Sequence, residues 1–153
     1  MNLPRPTDQL AGCVWLPRII AKARLLAAGA LPGDYAARFC ALAGVDGQFL
    51  AWFGLTRDEI VALAQRSDAD AAEWFLSSPV RHGRIAEWNR IAVNLGRPGF
   101  PMADRLPVAL ATTYRHLAGR DLETVFAVLA ADEADETPAA RADAGNRTTV
   151  PMK

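Results

Sequence analysis

The sequence predicts an all-α fold, a compact orthogonal bundle of about six or seven short helices followed by a disordered C-terminal tail. Three observations carry this. Alanine is abundant and β-branched runs are absent, which favours helix. Apolar residues recur at three- and four-residue spacing between clusters of Gly, Pro and Asp. No strand pattern stands out, which argues against an α/β cofactor fold.

Residues 1–13 read as an extended lead-in, because Pro4 and Pro6 block a helix there. Pro17 opens the first helix at a position where its missing N–H costs nothing. Gly29 is the expected stop. The middle of "LPGDYAARFCALAGVDG" is expected to be a short helix, with the Gly/Pro/Asp clusters at each end as turns. Asp46 is placed to cap "GQFLAWFG", with Phe49, Leu50 and Phe53 on one face. Thr56 and Glu59 form a capping box for "RDEIVALAQR", and Ser67 with Asp70 resembles a second, opening "ADAAEWFLSS". Pro79 is expected to end that helix. "RHGRIAEWNRIAVNLG" reads as one amphipathic helix through Ile85, Trp88, Ala92 and Leu95, stopped by Gly96. Pro107 is tolerated only in a first turn, so the next helix starts near Asp104–Leu106 and runs to Gly119. Asp121 is the expected cap of "LETVFAVLAADE", with Leu122, Val125, Phe126 and Leu129 facing inward. The bounds are therefore one helical domain over 1–135 and a tail over 136–153, where large apolar residues are scarce.

The 153 residues carry seventeen basic and seventeen acidic side chains. That balance argues against general nucleic-acid or membrane-surface binding, which calls for a basic excess. No stretch approaches the length of a membrane span, and the N-terminus has no apolar signal region, so a soluble cytoplasmic protein is expected. Cys13 and Cys40 are far apart without CxxC spacing and read as free thiols in a reducing compartment. There is no GxGxxG, P-loop or HExxH, and His82 and His116 are far apart, so neither a cofactor nor a metal is expected. The four tryptophans are explained by burial in a small helical core.

One stretch raises a question of charge. In "VWLPRIIAKAR", Arg18 and Lys22 share a face near the positive end of the first helix's dipole, the wrong end for cations. Arg24 lies about 200° round from Lys22 and points elsewhere. Leu16, just before Pro17, is no side-chain cap. Uncapped N–H groups, two cations and Trp15 as an apolar wall describe an anion site made of Trp15, Arg18, Lys22 and Arg24. Asp34, Tyr35, Trp88 and Asn89 are weaker candidates for lining a pocket. The competing account is a solvated surface pair of cations, including the version in which Asp34, Glu73 or Glu87 on another element pairs with them.

These residues also carry a resemblance. "LAGCVWLPRIIAKAR" resembles the opening signature L-x-G-x-V-x-L-P-R-x-x-x-K-A-R of a bacterial family designated domain of unknown function 5069. Leu10, Gly12, Val14, Leu16, Pro17, Arg18, Lys22, Ala23 and Arg24 match it, and "FLAWFGL" and "IAEWN" are similar to its middle section. The resemblance spans about residues 7–135. It implies a helical bacterial domain with no assigned activity. Many members carry an acidic residue just before the lysine, where this chain has Ala21, and any polar site built on that acid is weakened here.

Three functions follow as expectations. The first is a non-catalytic binding module for an anionic small molecule or an acidic partner segment. The second is a structural or protein-interaction domain, possible as a homodimer, with its cations in ion pairs. The third, ranked last, is an enzyme that brings Asp34, Tyr35, Glu87 and His116 into one cleft. No nucleic-acid or membrane partner is expected.

Overall fold

The structure is a computed structural model and describes residues 2–135; the predicted tail, 136–153, lies outside the described residues. The fold is predominantly helical with one small two-stranded sheet. The chain divides into two compact units, one reaching Ala92 and the other beginning at Val93. The sequence showed no boundary there.

The first unit opens on a hairpin that the lead-in reading missed. Strand β1 (Gln9–Leu10) pairs antiparallel with β2 (Cys13–Val14), in the register Gln9↔Val14 and Leu10↔Cys13. Its turn residues Ala11 and Gly12 have φ of 56° and 73°, the paired positive values of a tight hairpin turn that Ala-Gly signals only faintly in sequence. Helix α1 (Leu16–Ala27) follows with Pro17 in its first turn and buries Leu16, Ile19, Ile20 and Ala23. After it, Gly29 turns left-handed and the Ala30 N–H returns to Leu25 O at 2.8 Å.

Four short helices come next, α2 (Gly33–Arg38), α3 (Val45–Phe53), α4 (Arg57–Leu63) and α5 (Asp68–Leu76). The capping box at Thr56 and Glu59 forms reciprocally. Ser67 caps α5 by accepting from Asp70 N at 3.1 Å. Helix α3 departs from expectation, since its N-cap is Gly44 and Asp46 lies inside the first turn. Gly47 matters for packing: a Cβ there would sit 2.4 Å from Leu42 O and 2.6 Å from Ala41 O, both backbone atoms.

The long helix expected over residues 81–96 is two helices, α6 (Pro79–Gly83) and α7 (Ile85–Ala92). Pro79 starts α6 rather than merely ending α5, because Ser78 Oγ accepts from Arg81 N at 3.3 Å and proline suits a first helical position. The unit's core is aromatic. Phe49 meets the Trp88 ring edge-on at 5.5 Å, and Phe53 meets Phe75 at 4.9 Å.

The second unit holds α8 (Arg105–Ala111), a single 3-10 turn at Arg115–Leu117, and α9 (Val125–Asp135). Pro107 sits in the first turn of α8, as expected. That helix stops eight residues before Gly119, where the Thr112 hydroxyl donates back to Val108 O at 2.7 Å and the backbone leaves helical geometry. Thr124, not Asp121, begins α9: its hydroxyl accepts from Ala127 N at 3.1 Å. Leu106, Leu117 and Val128 form the core, packed by Leu110, Tyr114, Leu122, Val125 and Ala131. No described helix is long and apolar enough to cross a membrane.

Candidate functional site

The start of α1 is a left-handed corner. Trp15, the residue before the helix, has φ 74°, a conformation that costs a non-glycine residue about 1–2 kcal/mol. No side chain caps the helix, and no acidic residue lies in its first turn. The cations expected to gather there do so. Lys22 Nζ lies 4.9 Å from the centroid of the Trp15 ring, and the Arg18 guanidinium lies 5.1 Å from it. All three side chains are buried, with Arg18 only 1% exposed.

What Lys22 meets is Asp46. Its Oδ1 accepts from Lys22 Nζ at 2.7 Å and from Trp15 Nε1 at 2.8 Å, while Oδ2 accepts from Cys40 N at 2.9 Å. The carboxylate is 2% exposed. None of Asp34, Glu73 and Glu87 is this partner. Asp46 also sits in the first turn of α3, the end of a helix dipole that favours negative charge. One buried carboxylate therefore offsets a cation placed at the unfavourable end of α1 and occupies the favourable end of α3. Cys40, whose N–H it holds, is another left-handed non-glycine residue, with φ 57°. Two costly backbone conformations are thus tied to the same carboxylate.

Burial pulls the Lys22 ammonium below its ordinary range, and the Asp46 charge and hydrogen bond oppose that pull. Burial pushes the Cys40 thiol from its ordinary 9.0 up to about 12, and the Asp46 charge adds to the rise. Burial alone takes the Cys13 thiol to about 12. Thiols held protonated in this way are poor nucleophiles and poor metal ligands near neutral pH.

The other candidates have other partners. Arg18 Nη1 donates to Pro4 O at 2.9 Å, which ties the lead-in to α1. Arg24 points away from this cluster, as its helical position requires. It donates to Ala64 O at 3.1 Å, to Arg66 O at 2.8 Å and to Asp68 Oδ1 at 2.8 Å, closing the end of α4 and joining it to the start of α5. Trp88 and Asn89 hold the hairpin: Trp88 Nε1 donates to Val14 O at 2.9 Å, Asn89 Oδ1 accepts from Val14 N at 3.0 Å, and Asn89 Nδ2 donates to Gly12 O at 2.8 Å. Asp34 is exposed in the first turn of α2, and Tyr35 beside it is half-buried. Glu87 is exposed and held by Arg90. In the second unit, His116 Nε2 lies 2.7 Å from Asp132 Oδ1. An open groove along α5 is lined by Arg66, Asp70, Glu73, Trp74 and Ser77, none of them among the anion-site candidates. Among the described residues, no group of three or more His, Cys, Asp and Glu side chains is placed to hold a metal.

Asp46 is the residue that sequence reasoning missed as a partner. An acid at the start of a helix reads as a local cap, and nothing near residue 22 identifies which of many acids will be buried against it. The Asp46 clasp, the Arg24 clip and the Trp88–Asn89 hold on the hairpin define a class: a mainly helical domain whose polar side chains at these points bind its own elements together. The family model described as Domain of unknown function (DUF5069) matches residues 2–135, and the chain belongs to that family. No curated protein and no solved structure matches it.

Proposed function

We propose that this chain is a non-catalytic protein-interaction domain in which the cations of α1 serve internal ion pairs rather than an external anion. One observation carries the reading. The position an external phosphate or carboxylate would take beside Lys22 and the Trp15 indole is filled by the carboxylate of Asp46, at 2.7 and 2.8 Å. A buried ammonium already paired in this way has little to gain from a second anion. Free Cys13 and Cys40 suit a reducing compartment, so a bacterial cytoplasm is part of the reading. A homodimer is one form it can take.

Recognition of an anionic small molecule at the same corner is the second reading, favoured by the absence of a side-chain cap at the start of α1. A thermal-shift screen of the wild type and Lys22→Met against phosphorylated metabolites and organic acids separates the two. A true ligand at about 100 times its Kd stabilises by ~2.7 kcal/mol. The interaction reading expects no such compound and a variant that melts below wild type. A compound that raises the melting temperature of wild type but not of Lys22→Met would restore the anion site.

A further inference from the structure

We propose that Trp52, Val80 and Arg84 of the first unit form a docking surface for an acidic protein segment, with a carboxylate on Arg84 and an apolar side chain against Val80. The proposal rests on the interaction-domain reading and gives that reading a surface and a partner chemistry.

The surface is built by α6. Val80 lies in its first turn and is 68% exposed, one of few large apolar side chains so open to water. Arg84 ends the same helix with α-like backbone geometry, four residues after Val80, so the two share a face. The Arg84 guanidinium lies over the Trp52 ring, 4.1 Å from its centroid. Trp52 Nε1 in turn donates to Arg84 O at 3.0 Å. Backbone and side chain of Arg84 are thus both fixed against one half-buried indole. A long cation normally loses rotamer freedom on binding, and stacking removes much of that loss in advance.

Its neighbour Arg81 shows the contrast. Arg81 also stacks on a tryptophan, Trp74 at 3.9 Å, but its N–H groups go to Phe75 O and Trp74 O at 3.0 and 2.7 Å and close the end of α5. Arg84 makes no such side-chain hydrogen bonds among the described residues, and no described carboxylate pairs with it. Glu87, one turn on, is held by Arg90. The Arg84 fork is left facing outward beside an exposed valine.

Charge decides the occupant. A guanidinium fork matches a carboxylate through two parallel hydrogen bonds, and arginine and tryptophan are the residues that most often dominate protein interfaces. A nucleic-acid strand would also stack and pair here. It needs a run of cations along its phosphates, however, and this chain's formal net charge is zero.

Random-peptide display on the full chain tests the proposal, followed by binding and NMR with the synthetic consensus peptide. The expected consensus carries Asp or Glu at fixed spacing from an apolar residue, and the peptide shifts the Trp52 indole N–H resonance. Arg84→Gln should weaken binding about fivefold or more, whereas Arg90→Gln leaves it unchanged. Selected peptides that lack acid, or that bind equally well to Arg84→Gln, would overturn this surface and leave the interaction reading standing. No selected peptide at all would overturn both. Tighter binding of a single-stranded RNA oligomer than of the peptide, lost in Arg84→Gln, would replace the partner class and so refute the proposal.

Discussion

Asp46→Ala is the substitution that asks most of the buried cluster. It removes the acceptor for Lys22 Nζ, Trp15 Nε1 and Cys40 N together. The ammonium is left with the face of Trp15, 4.9 Å away, and almost no water. Breaking a buried ion pair from one side costs about 3–5 kcal/mol, because the remaining charge is uncompensated. At 2–4 °C for each kcal/mol in a chain of this size, the melting temperature should fall by roughly 6–20 °C. Lys22→Met should cost less, about 2 kcal/mol, since the carboxylate keeps two N–H donors and the methionine fills most of the lysine's volume. The double variant Lys22→Met/Asp46→Ala should lose clearly less than the two single losses added together, because no charge remains buried. Chemical denaturation of all four proteins gives the coupling energy, expected to be at least about 1 kcal/mol. If Asp46→Ala melts within a degree or two of wild type, or the two losses simply add, then the carboxylate is not what makes the buried lysine tolerable, and this account of α1 fails.

Three further outcomes are expected. Arg24→Ala removes bonds to Ala64 O, Arg66 O and Asp68, and should cost about 1–2 kcal/mol by denaturant titration, with part of the loss disappearing at high salt. Gly47→Ala presses a methyl group against the Leu42 and Ala41 carbonyls; it should destabilise by about 1–3 kcal/mol or prevent folding, readable as lost near-ultraviolet circular dichroism. Cys13 and Cys40, both raised to about 12, should react slowly with a thiol reagent at pH 8 and at the ordinary rate in denaturant. The linked sign is a fall in stability as pH rises from 9 toward 12, where unfolded thiols lose their protons and folded ones keep them. Lys22, lowered, acts in the opposite direction, so Lys22→Met should make the alkaline fall steeper.

Much of the helical framework was legible locally. Pro17 at the start of α1 removes an N–H that would have had no partner, and the Thr56–Glu59 box and the Ser67 cap satisfy backbone N–H groups within four residues, so the neighbours in sequence report the structure directly. The same reasoning failed where a local signal had two uses. Pro79 ends one helix and starts another, and α8 leaves helical geometry at Thr112, well short of the glycine that looked like its terminus. The hairpin was hidden because its two-residue strands are too short to show alternation, and because the groups that hold it are Trp88 and Asn89, far along the chain.

The candidate site divides in the same way. Helical periodicity by itself determined that Arg18 and Lys22 share a face beside Trp15 and that Arg24 does not. Only tertiary structure decided what that face meets. Lys22 and Asp46 are 24 positions apart, and Asp46 looks in sequence like one more acid at the start of a helix. A helix terminus is set by hydrogen bonds that close within one turn, whereas the counter-charge of a buried cation is chosen when elements distant in sequence exclude water together. The cost of burying the wrong pair makes that choice sharp, and it leaves no local trace.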